Sequence, residues 1–313
     1  MDERVTPTPD GLPAAARSRV ERQAASGVRS SLFSAPAAAA ARSAALLPVG
    51  EVFGGIVVNL GWTGTGCAWW TMTGPAVGRS TAFNRNAWRS PVTTSGGTTY
   101  VGFAPYVKAF ESAWYGAVRR MLAEAGALGA HGVVGVTVER TRLDGSAWEF
   151  TALGTAVRSD DPLLVPYPKN RGDVWCTNLT VEDTAAAILS GYTPGELLLG
   201  ISVSTKHEDY ELRTQRSSWV NGEVTGMTEL IQAARSESLH RLGKRASAIP
   251  GAQLVVTDLD LFEFDTPCGE EKDLHAEATV IGTTLVPVPR YSRRAELSAV
   301  TTVIPLSDLR PRA

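Results

Sequence analysis

Leu128-Gly-Ala-His-Gly-Val-Val-Gly-Val-Thr-Val138 joins a helix end directly to a strand start. Gly129 suits the end of a helix, where glycine supplies the positive φ that other residues resist. The β-branched run that follows suits a strand in a sheet covered on both faces. Upstream, Val107, Phe110, Trp114, Val118, Met121, Leu122 and Ala125 recur at three- and four-residue steps, which predicts a helix with one buried stripe from about Pro105 to Leu128. Downstream, Leu143-Asp-Gly-Ser reads as a turn and Trp148-Glu-Phe-Thr-Ala-Leu-Gly-Thr-Ala-Val157 as the hairpin partner. Before the helix, Glu51-Val-Phe-Gly-Gly-Ile-Val-Val-Asn-Leu60 reads as a strand interrupted by a glycine pair. The order is β-α-β-β.

The same order returns later. Glu196-Leu-Leu-Leu-Gly-Ile-Ser-Val-Ser-Thr205 is its first strand, and residues 228–248 its helix, with Leu230, Ile231, Ala234, Ser238 and Leu242 along one side. Ala252 to Phe264 and His275 to Val286 are its closing strands, joined through Pro267-Cys-Gly-Glu-Glu-Lys272. The fold class predicted is therefore α+β, with two tandem β-α-β-β units, each a small sheet backed by one long helix. The expected divisions are a disordered tail over 1–45, a first unit over 46–160 carrying a Trp-rich insertion at 61–106, a linker with a short helix over 161–194, a second unit over 195–290 and an extension over 291–313. Duplicated units commonly bury a face against another copy, which points toward assembly.

The chain has 313 residues and a net charge of −2, with a pI near 6.1. This balance gives no reason to expect nucleic acid or an anionic membrane as partner. Cys67, Cys176 and Cys268 form an odd set without CxxC spacing, which argues against a disulfide framework and predicts a reducing, cytoplasmic setting. No stretch approaches the roughly 20 apolar residues needed to cross a bilayer. The first 45 residues mix Pro, Ala, Ser and Arg with few large apolar side chains, which predicts a mobile tail whose arginines suit an acidic protein partner. A nascent helix fits within it near Ala14–Ala25.

The order Gly-Ile-Val near the start, a helix rich in Ala and charged residues, Ala127-Leu-Gly-Ala-His-Gly-Val-Val-Gly-Val136 and Leu153-Gly-Thr-Ala-Val157 resembles the YbjQ-like family, labelled as heavy-metal-binding. The second unit keeps that shape in looser wording, with Ile249-Pro-Gly-Ala-Gln-Leu-Val-Val256 and Val280-Ile-Gly-Thr-Thr284. The resemblance implies a small α+β unit that closes into rings, pentamers in particular.

Candidate chemistry is sparse. Cys268 and His275, with Glu270, Glu271 and Asp273 between them, offer thiolate, imidazole and carboxylate to a divalent metal in the second hairpin. A solvated acidic loop is the competing account. Trp62, Trp69, Trp70 and Trp88, rimmed by Arg85, suit either a small core for the insertion or a binding surface for protein or ligand. Gly61-Trp-Thr-Gly-Thr-Gly lacks the Lys-Ser/Thr of a phosphate loop. None of the four histidines sits in a nucleophile motif, so no catalytic residue is expected. The favoured reading is a non-enzymatic ring-forming assembly protein, with no cofactor required. Metal binding is the alternative, and a binding module built on the Trp-rich insertion the more remote one.

Overall fold

In the computed structural model, which describes residues 12–27, 29–60, 92–95, 103–159, 174–268 and 271–288, one long helix lies between two four-stranded sheets. The elements in chain order are α1 (Ala14–Ser26), α2 (Ala35–Ser43), β1 (Leu46–Asn59), β2 (Thr93–Thr94), α3 (Ala104–Ala127), β3 (Gly132–Asp144), β4 (Ala147–Ser159) and β5 (Trp175–Cys176). They continue with α4 (Val181–Leu189), β6 (Tyr192–His207), α5 (Tyr210–Arg216), α6 (Thr225–Ala246), β7 (Gln253–Cys268) and β8 (Glu271–Pro287). The first sheet runs β1-β4-β3-β5 and the second β2-β6-β8-β7. Each sheet has an antiparallel core of three strands in the same order, and each is backed by its own helix, α3 or α6. The α+β reading with two β-α-β-β units holds.

The register gives the two units corresponding positions along their central strands. Gly54 pairs with Ala152 in the first sheet, and Gly200 with Val280 in the second. A Cβ at Gly54 would overlap the backbone oxygen of Ala117, and one at Gly200 the backbone oxygen of Ser238. Only glycine lets each helix lie that close to its first strand. The third strand is also bulged at matching places, between Val134 and Thr137 in one unit and between Val256 and Asp258 in the other.

The layers run sheet one, α3, sheet two, α6. On β6, Leu197, Leu199, Ile201 and Val203 face α3, while Gly200 and Ser202 face α6, so the strand is buried almost without interruption. A strand covered on both faces loses the usual alternation. Tyr115 ties the layers, its hydroxyl accepting from Leu199 N and from Arg245. Tyr106, Arg140 and Glu277 make a second cross-layer knot, with Arg140 Nη1 2.8 Å from Glu277 Oε1 and 3.0 Å from the Tyr106 hydroxyl.

Two expectations change. The segment assigned to a disordered tail holds α1 and α2, with Leu12, Val20, Ala37 and Ala41 buried. Arg19 pairs with the buried Glu124 of α3, and Ala37 and Ala41 pack with Val181, Ala185 and Ile188 of α4. Small alanine faces let helices approach closely, so little large apolar surface was needed. The described part of the linker holds the expected short helix, α4, which Thr180 caps through Asp183 N, and in addition Trp175 and Cys176 add a parallel strand to Gly132 and Val133. Gly132 is needed there because a Cβ would overlap the Trp175 ring, whereas Gly129 serves the helix end with φ +69°. The C-terminal extension and most of the Trp-rich insertion lie outside the described residues.

Candidate metal centre

Three strand ends converge at one edge of the second sheet. The pairing of β6 with β8 sets His207 opposite Asp273, and the β7–β8 hairpin returns Cys268 opposite Glu271. As a result, ligand atoms of His207, Cys268 and Asp273 all lie within 4.8 Å of one another. They are sheltered: Asp273 and Cys268 are buried and the His207 side chain is 12 % exposed. Ligand atoms around a tetrahedral zinc, at bond lengths of about 2.0–2.3 Å, stand roughly 3.4–3.8 Å apart, so an ion would part the 2.8 Å contact of His207 Nδ1 with Asp273 Oδ1 and draw the sulfur in from at most 4.8 Å.

Both imidazole nitrogens of His207 meet carboxylates: Nδ1 is 2.8 Å from Asp273 Oδ1, and Nε2 is 2.7 Å from Glu271 Oε2. Arg213 of α5 donates to the other oxygen of Glu271 at 2.9 Å and fixes that carboxylate. α5 is itself anchored by Asp209, whose side chain accepts from Leu212 N. Around the rim, Arg216 pairs with Glu208 and Lys272 with Asp265, the latter holding the Asp265 carboxyl below its ordinary value.

The ligand set read from the sequence is therefore rearranged. Cys268 is in the group and Glu271 supports it, Glu270 lies outside the described residues, and His275 is elsewhere. His275 Nδ1 contacts the Thr205 hydroxyl at 2.9 Å and Nε2 the Thr266 hydroxyl at 2.8 Å. Its ring packs against Phe103 and Phe264, and burial pulls its pKa down to about 4, so it is a neutral packing residue. Register explains the exchange: Asp273 and His275 lie two apart on the same face of β8, and β6 sets His207 opposite the first and Thr205 opposite the second. His207 was missed as a ligand, and Asp273 was read only as one of the acidic residues between Cys268 and His275, because cross-strand register sets their partners.

The cysteine reading is corrected as well. Cys268 is disulfide-bonded, while Cys176 is free and buried with its thiol pushed up to about 12 by desolvation. The expectation of no disulfide, and the argument from it for a cytoplasmic setting, fall with this bond. Among the described residues no helix is long and apolar enough to cross a membrane. Trp62, Trp69, Trp70, Trp88 and Arg85, the expected binding surface, lie outside the described residues.

A cleft of about 740 Å³ opens between β3 and β7, lined by Phe110, Trp114, Arg140, Asp258, Asp260 and Glu277 among others, and holds none of the metal-ligand group. Its one guanidinium is committed to Glu277 and to the rings of Phe110, Trp148 and Phe262.

Residues 79–160 match the model of a family described as "YbjQ_1: Putative heavy-metal-binding". The match falls on the first unit, whereas the His207–Cys268–Asp273 group belongs to the second. No curated protein and no solved structure matches the chain.

Proposed function

We propose that this chain is a non-enzymatic metal-binding protein that takes a borderline divalent ion, zinc being the natural probe, at His207, Cys268 and Asp273. The observation that carries the reading is the convergence of imidazole, sulfur and carboxylate within 4.8 Å at a sheltered sheet edge. The heavy-metal description of the family matched by the first unit is consistent with it. Thiolate and imidazole favour zinc-like ions over calcium or magnesium, which prefer all-oxygen shells. With the ion at Nδ1, the Nε2–H of His207 would donate to Glu271, the outer carboxylate contact that orients metal-bound histidines. Zinc content of the reduced full-length chain after gel filtration, compared with His207→Ala and Asp273→Asn, tests this. Unchanged stoichiometry in both variants would place the metal elsewhere.

A second reading, self-assembly, rests on a separate observation. Val57 and Leu153 are 55 % and 37 % exposed, yet they hold the register positions of Val203 and Ile281, which pack beneath α3. No described element covers that patch of sheet one. We propose that α6 of a second copy lies there as α3 lies on sheet two, bringing Leu239 and Arg235 of α6 against Val57, Leu153 and the acidic Glu139 and Glu149. A head-to-tail contact of this kind repeats until it closes. The closed ring we propose is a homopentamer, the form the family resemblance implies.

A further inference from the structure

The sulfur that completes the metal group already has a covalent partner. Cys268 is disulfide-bonded, yet its Sγ belongs to the cluster formed with His207 and Asp273. Zinc is held by thiolate, and a disulfide sulfur, which carries no charge, is too weak a donor to replace it. The same atom cannot serve both bonds. From this conflict, and resting on the metal reading above, we propose that Cys268 is a redox gate: the oxidised chain has no complete metal site, and reduction of the Cys268 disulfide creates one.

The step balances. A thiolate of a dithiol reductant attacks the protein disulfide, breaking its S–S bond and forming a mixed disulfide. The second thiol of the reductant resolves this intermediate, leaving as a cyclic or protein-borne disulfide. Two electrons pass from the dithiol to the protein, and the two protein sulfurs emerge as thiols. The divalent ion then displaces the proton of Cys268, which passes to solvent. Oxidation by a disulfide of the same class runs the exchange backwards and expels the metal.

Three features suit Cys268 to this task. His207 and Asp273 are placed by backbone register across β6 and β8, so two of the three ligands stay in position whichever state the sulfur is in. Arg213 and Glu271 hold the outer side of His207 independently of the sulfur. Cys176, by contrast, sits in the core of the first sheet with its thiol kept protonated by burial, so it does not intrude on the exchange.

Linkage makes the gate work in both directions. An ion that binds only the reduced form must favour that form, and at a free ion concentration of about 100 times Kd it shifts the reduction equilibrium about 100-fold.

The experiment uses the full chain, oxidised with a cyclic disulfide or reduced with a dithiol that is then removed without air, and titrates each with Co²⁺ and Zn²⁺. The reduced chain should bind one ion with a thiolate-to-cobalt charge-transfer band. The oxidised chain should bind at least about tenfold more weakly and lack that band. Saturating Zn²⁺ should also slow reoxidation of the reduced chain. Cys268→Ser, checked for unchanged far-UV circular dichroism, should lose the band under either condition. Equal binding by oxidised and reduced chains would overturn the gate while leaving metal binding standing. Absence of binding in both would remove the metal reading and the gate together. Retention of the band in Cys268→Ser would assign the thiolate to another cysteine and overturn the gate.

Discussion

Arg140 of the first unit lies 2.8 Å from Glu277 of the second, whose side chain is only 2 % exposed. The pair is satisfied by more than its own charges: the Tyr106 hydroxyl bonds both partners, and the guanidinium lies over Phe110, Trp148 and Phe262. It joins β3 of one sheet to β8 of the other, so it reports on how firmly the units are docked.

Arg140→Ala is expected to destabilise the chain by about 3 kcal/mol, because it strands a buried carboxylate. Arg140→Met with Glu277→Leu should recover much of that loss, since two apolar groups need no partner. Urea unfolding followed by circular dichroism measures both, and a loss of less than about 0.5 kcal/mol for the single variant would show that the pair contributes no more than a surface ion pair.

The two glycine contacts should behave alike. Gly54→Ala and Gly200→Ala each push a methyl group into the backbone oxygen of a packed helix, and overpacking of this kind costs about 1–3 kcal/mol. Gly243→Ala is the control, since nothing lies within 4 Å of a Cβ there and alanine is the better helix former. Midpoints of thermal unfolding should fall for the first two and hold or rise for the third.

Acid should weaken the second unit through His275. Its pKa is lowered by burial from 6.5 to about 4, so between those values the unfolded chain binds a proton that the folded chain refuses. Stability from this residue is therefore complete above pH 6.5 and declines as pH falls toward 4, by about 3 kcal/mol in all. His275→Asn should flatten that part of the stability curve. A variant with the wild-type slope would assign the acid sensitivity to other groups.

Cys176 should resist alkylation in the native chain under reducing conditions, since its thiol is buried and its pKa pushed up to about 12. Mass spectrometry after iodoacetamide treatment should find Cys176 unmodified until the chain is unfolded. Ready labelling of native Cys176 would mean that the first sheet opens at β5.

Assembly has its own test. Sedimentation of the full chain should show a species larger than the monomer, and Leu153→Glu or Arg235→Glu should each reduce it to one chain without altering circular dichroism. The double variant combining Leu153→Arg with Arg235→Glu is expected to regain part of the association. A monomer at micromolar concentrations in the unmodified chain would end this reading.

The local patterns were decisive for the elements. Three- and four-residue spacing over Val107–Ala125 determined α3, the β-branched run after Gly132 determined β3, and Thr180 marked the start of α4. Those signals are local: they depend on helix period, strand propensity and caps, which act within a few residues. A helix near Ala14–Ala25 was legible, but α2 and the docking of both N-terminal helices were not, because these depend on partners far along the chain, Glu124 for Arg19 and α4 for α2.

Local pattern carries the order β-α-β-β, stated twice, together with the residue types available for chemistry. Which of those residues meet follows from strand pairing across the sheet. Cys268 and His275 share one hairpin, yet the register of β6 and β7 against β8 is set across the sheet, so Cys268 meets His207 and Asp273 while His275 meets two threonines. The layer order was equally beyond local reading. That α3 serves both its own sheet and the next one depends on contacts between residues more than eighty positions apart, such as Tyr115 with Leu199, and no periodicity within either unit encodes them.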